Sequence, residues 1–134
     1  MNEPQYYPTV FDEDGTKYIL ARVLRKNTTH SMVIPATSDF TSITRGVYSV
    51  PSSTVIVAAT TLTTTDVILS ALSTGNIWDF SVGGSTGFNF IDTVPTTAFP
   101  TGGQVVQVEY KFTMTAGDVY SLRVRGPVLP IEGS

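Results

Sequence analysis

Residues 104–125 read QVVQVEYKFTMTAGDVYSLRVR, and their alternation decides the fold class. Val106, Val108, Tyr110, Phe112 and Met114 fall on one side of an extended chain. Gln107, Glu109, Lys111, Thr113 and Thr115 fall on the other. A period of two is the mark of a strand with one dry and one wet face. After Ala116-Gly117-Asp118 the alternation resumes, with Tyr120, Leu122 and Val124 apolar and Ser121, Arg123 and Arg125 polar. The stretch is therefore a β-hairpin. A three-residue loop, Ala116 to Asp118 with Gly117 at positive φ, sets Met114 against Tyr120, Phe112 against Leu122 and Tyr110 against Val124. It also sets Glu109 against Arg125. A two-residue loop mixes the faces and is disfavoured. The expected register leaves one defect, Lys111 opposite Arg123, which Glu109 offsets diagonally.

The rest of the chain agrees with an all-β reading. It has 134 residues, the length of one domain. Only 14% are charged, and Thr, Ser and Val are plentiful, as suits pleated surfaces. Further strands are expected at Thr9–Phe11 and Lys17–Val23, joined as a hairpin through Asp14-Gly15. Others are expected at Met32–Ile34, Arg45–Val50, Thr54–Ala59 and Asp66–Leu72. Thr54–Ala59 is apolar enough to be covered on both faces or to face a partner. Trp78, Phe80 and Val82 alternate, as do Phe88 and Phe90, across a glycine-rich tip. That reads as another hairpin, its four aromatics forming either core or a sugar-stacking platform, with core favoured. Gly126-Pro127 is expected to end regular pairing. The sum is a single antiparallel β-sandwich, immunoglobulin-like or jelly-roll-like, spanning residues 9–130. Residues 1–8 form an extended arm and 131–134 a short tail.

Composition removes several function classes. Net charge is −3, so no basic face offers itself to nucleic acid phosphates. The chain has no cysteine and one histidine, His30, which removes most nucleophile–base pairs and the usual zinc sets. The acidic run Asp12-Glu13-Asp14-Gly15 has only part of a calcium loop's spacing and reads as a turn. The glycines at 83–87 lack the following Lys-Ser/Thr of a phosphate-binding loop. Asp39, Asp66, Asp79 and Asp92 are scattered, with turn or solvent roles expected. No catalytic residue, metal or cofactor is assigned. No secretion signal and no membrane-spanning run is read, and the reading is not an enzyme.

The organisation resembles the small β-sandwich accessory proteins of tailed bacteriophages. The likeness lies in the cysteine-free chain, the Tyr/Pro-rich arm, the threonine-rich strands and the Gly117-Asp118-Val119-Tyr120 hairpin. The resemblance implies a structural protein of the virion, assembled in the host cytoplasm. The expected function is capsid decoration or cementing. Its expected partners are other copies of itself on a lattice and a viral structural protein such as the major capsid protein. A tail or baseplate component is one alternative. A carbohydrate-binding or adhesin-like module using the aromatic hairpin is the other. From the residues themselves, Tyr6, Tyr7, Pro8 and Phe99 are the expected partner contacts. Tyrosines between prolines suit an interface, and two prolines reduce the entropy lost on docking. The arm is expected to serve as a strap whose removal leaves the domain's melting temperature nearly unchanged.

Overall fold

The computed structural model describes residues 6–21, 23, 25–26, 32–33, 35–50, 52, 54–73, 81–82 and 88–131. They form an all-β fold of two packed sheets. In chain order the strands are β1 (Tyr7–Pro8), β2 (Phe11–Asp12), β3 (Lys17–Ala21), β4 (Arg25–Lys26), β5 (Met32–Val33), β6 (Phe40–Val50) and β7 (Thr54–Leu62). They continue with β8 (Ile68–Ser73), β9 (Ser81–Val82), β10 (Phe88–Val94), β11 (Val105–Met114) and β12 (Val119–Leu129). One helical turn, α1 (Thr64–Val67), precedes β8, and 3-10 turns lie at Thr37–Asp39 and Thr96–Ala98.

The larger sheet has the order β1-β12-β11-β6-β7, with β2 also on β12, and the smaller has β8-β10-β3-β9. The long central pairings are antiparallel. The short edge strands β1 and β2 run parallel to β12, and β9 parallel to β3. A small β4–β5 pair stands apart.

The hairpin of β11 and β12 is present with its faces as read. Val106, Val108, Tyr110, Phe112 and Met114 are all buried, as are Leu122, Val124 and Val128. Its register differs by two residues. Phe112 pairs with Tyr120, Tyr110 with Leu122, Glu109 with Arg123 and Lys111 with Ser121. The loop is Thr115-Ala116-Gly117. Met114 N–H donates to Asp118 O at 2.8 Å, and Gly117 N–H to Met114 O at 2.9 Å. Gly117, with φ +103, ends the turn rather than centring it. Thr115 is held in the loop by the 37–39 turn, its N–H donating to Asp39 O and its hydroxyl to Ser38 O. The shift is even, so every face survives. It also removes the expected meeting of Lys111 with Arg123.

β12 does not stop at Gly126-Pro127. Val128 N–H bonds Gln104 O at one end of the ladder, as Met114 bonds Asp118 at the other. Even-numbered residues therefore bond across to β11. Pro127 sits where its missing donor is not needed by that ladder. A Cβ on Gly126 would lie 1.7 Å from Thr9 O, so only glycine lets the N-terminal segment cross there.

Two expected hairpins are crossings instead. Asp12-Glu13-Asp14-Gly15 is a turn, closed by Gly15 N–H to Asp12 O with Asp14 at φ 54. It carries the chain from β2 in the larger sheet to β3 in the smaller. Phe11 drives the separation, burying its ring against Phe99 with centroids 4.5 Å apart. Likewise β9 and β10 do not pair with each other; β3 lies between them. β7 is an edge strand, not one covered on both faces. Only Ile56, Val57 and Leu62 of its side chains lean on the core. Two register shifts against β6 bend it, which blunts an edge that carries no charged side chain.

The sheets meet through an aromatic cluster. Phe90 of β10 stands edge-on to Tyr110 at 5.0 Å and to Phe112 at 5.2 Å between centroids. Phe90 is thus core, as favoured; Trp78, Phe80 and the Phe88 side chain lie outside the described residues, as does His30.

Candidate functional site

Two polar constellations stand out, one between the sheets and one on the outside of the larger sheet. The inner one begins with strand parity. On β6 the residues sharing the core face are Ile43, Arg45, Val47 and Ser49, set against Phe112, Tyr110, Val108 and Val106. On β10 they are Phe90, Asp92 and Val94, with Ile19 and Ala21 of β3 beside them. A cation and a carboxylate are thereby aimed at each other from opposite sheets. Arg45 Nη1 lies 2.7 Å from Asp92 Oδ2, and Tyr110 donates its hydroxyl to the same oxygen at 2.6 Å. The two charged side chains are 11% and 6% exposed. Arg45 Nη1 also reaches Thr93 O at 3.4 Å. Burial, and then the negative charge of Asp92, push the Tyr110 hydroxyl well above its ordinary pKa. It stays protonated at neutral pH as a donor. The triad is a clamp between the sheets. Asp92 is therefore neither a turn nor a solvated residue, contrary to the sequence reading.

Asn89, on the opposite face of β10, makes a second pin. Its Oδ1 accepts from Val23 N–H at 2.7 Å, and its Nδ2 donates to Val23 O at 2.9 Å. The side-chain amide continues the β3–β10 pairing beyond its last backbone rung, Phe90 with Ala21.

The outer constellation follows the wet parity of β11 and β12. Arg125 donates through Nε and Nη2 to Gln107 Oε1, at 3.0 and 2.7 Å. Arg123 Nε bonds Glu109 Oε2 at 2.6 Å, and Gln107 Nε2 reaches the same oxygen at 3.5 Å. Glu109 was expected on Arg125; the register gives it Arg123. The Tyr6 ring lies over Arg125, its centroid 4.3 Å from Cζ.

The expected contact residues are dispersed. Tyr6 covers Arg125, and Tyr7 and Pro8 form β1 against Val124 and Arg125. Residues 6–8 thus lie along the edge of their own sheet. Tyr6 and Tyr7 remain 42% and 45% exposed. Phe99 is fully buried on Phe11 and offers no surface to a partner. Its burial corrects that assignment; the ring anchors the loop before β11 to the N-terminal strand.

Tyr7 also borders a cavity of about 160 Å³ between the sheets, lined by Ala21, Val23, Phe112, Tyr120, Ser121 and Leu122. That is below the ~300–1,000 Å³ typical of ligand pockets. Among the described residues no group of three His, Cys, Asp or Glu is placed to hold a metal ion. No helix of the described residues is long and apolar enough to cross a membrane.

Sequence reasoning missed Arg45 and Asp92. The signal was available: each interrupts an apolar parity, Arg45 between Ile43 and Val47, Asp92 between Phe90 and Val94. No protein-family model, curated protein or solved structure matches this chain.

Proposed function

We propose that this chain is a non-enzymatic structural protein of a tailed-phage virion, a decoration or cement protein that binds the assembled capsid. The supporting observation is the N-terminal edge of the larger sheet. Tyr6, Tyr7 and Val10 are 42%, 45% and 47% exposed there, beside the Tyr7–Pro8 pairing with β12 and the Thr9 N–H bond to Arg125 O. Large side chains held on a fixed strand lose little entropy on docking, and tyrosine suits an interface that is part apolar and part wet. A single edge of this kind binds weakly. On a repeating shell, many copies joined to one another hold by multivalency. The clamp of Arg45, Asp92 and Tyr110 keeps the two sheets from shearing while the edge is loaded.

The test is co-sedimentation of the purified chain with empty shells assembled from the major capsid protein encoded in the same genome. Binding is expected, and the double variant Tyr6→Ala, Tyr7→Ala, which keeps the strand backbone, should lose it. Pelleting with isolated tails but not with shells would move the address to the tail. Pelleting with neither would reject the proposal.

A further inference from the structure

We infer that the cavity between the two sheets is a binding site for one small, neutral aromatic molecule. Its lining comes from both layers. β3 supplies Ala21, with Val23 just beyond it, and β11 and β12 supply Phe112, Tyr120, Ser121 and Leu122. Tyr7 of β1 is the remaining wall. The void has a local cause. Ile19 and Ala21 share the core face of β3, and both are buried. An alanine one step along from an isoleucine leaves the space between the layers unfilled at its own position.

The walls are set before any ligand arrives. Asn89 holds Val23 through both of its backbone groups. Phe90 stands edge-on to the Phe112 ring at 5.2 Å between centroids. Tyr7 is placed by the pairing of β1 with Val124 of β12. A preformed site forfeits little binding energy to ordering.

Size, charge and lining select the ligand. The cavity measures about 160 Å³. An apolar cavity of ~150 Å³ takes one benzene. No described lining residue carries a charge, so an ion entering would give up water and gain no partner. Tyr7, Phe112 and Tyr120 offer ring faces and edges to an aromatic guest. Tyr7 is 45% exposed and Ser121 is exposed, so a hydroxyl on the guest ring can stay wet at the mouth.

The probe is phenol, titrated into the full chain and followed by amide shifts in two-dimensional NMR. No shell is involved, so the outcome is independent of the capsid proposal. Saturable shifts at Ala21, Val23, Tyr120, Ser121 and Leu122 are expected, with one Kd near ~1 mM for so small a ligand. Benzoate, the same ring carrying a charge, should bind at least about tenfold more weakly. Cyclohexanol, a ring of that size without a π face, should bind about threefold more weakly. Ala21→Ile should abolish phenol binding without lowering the melting temperature, because the added carbons enter a void. If Ala21→Ile does melt lower, Tyr7→Ala carries the test, since removing that wall should weaken phenol at least about tenfold. Val55→Ser, on an exposed position of β7, should change nothing. Shifts that do not saturate by ~10 mM phenol overturn the inference. So does phenol binding that survives both Ala21→Ile and Tyr7→Ala, or benzoate or cyclohexanol binding as tightly as phenol.

Discussion

Replacing Asp92 by alanine removes the carboxylate that Arg45 and Tyr110 both bond, and leaves a guanidinium with 11% of its side chain exposed. The water it gave up on folding is not restored by the mutation. Breaking a buried pair from one side costs about 3–5 kcal/mol. Stranding the Tyr110 hydroxyl adds about 1–3 kcal/mol, though the two losses overlap because they share one oxygen. Against a total stability of about 5–15 kcal/mol, Asp92→Ala should leave a marginal domain. Replacing all three groups, as Arg45→Met, Asp92→Leu and Tyr110→Phe, should cost much less, since no charge is then stranded. The assay is equilibrium urea unfolding, read as a midpoint change at constant slope. A loss below about 1 kcal/mol for Asp92→Ala would show that water reaches the pair freely. A triple variant as unstable as the single one would refute the claim that the stranded charge dominates.

Other expectations are quicker to check. Tyr110 has its pKa raised in the fold, so above pH ~10 the unfolded chain loses its proton first, and stability falls by about 1.4 kcal/mol per pH unit from this group. Urea midpoints measured across that range should fall less steeply for Tyr110→Phe. Gly126→Ala drives a methyl into the Thr9 carbonyl and should cost about 1–3 kcal/mol or more in thermal melts. Deleting residues 1–8 removes β1 and the Tyr6–Arg125 contact, so a loss of about 1–3 kcal/mol and a melting point several degrees lower are expected. That departs from the sequence reading, which expected removal of the arm to leave the melting temperature nearly unchanged.

Much of the molecule is legible in the sequence. Val106, Val108, Tyr110, Phe112 and Met114 announce a buried face because side chains in a strand alternate whatever their neighbours are. Gly117 announces a turn because positive φ is cheap for glycine. Alternation is blind to a register shift of two, however, since both registers bury the same residues. That choice was made far away in sequence, where the 37–39 turn binds Thr115 and pulls it into the loop. The acidic turn at 12–15 was visible, but whether it joins two strands of one sheet or crosses between two depends on where Phe11 finds Phe99. Arg45 and Asp92 were visible as charges in apolar parity. Their meeting is 47 residues apart along the chain and is set by how β6 and β10 stack. Local sequence thus determined which way each side chain points, because that is fixed by the backbone of its own strand. Only the tertiary structure decided what each one meets, because that depends on the packing of segments that share no local signal.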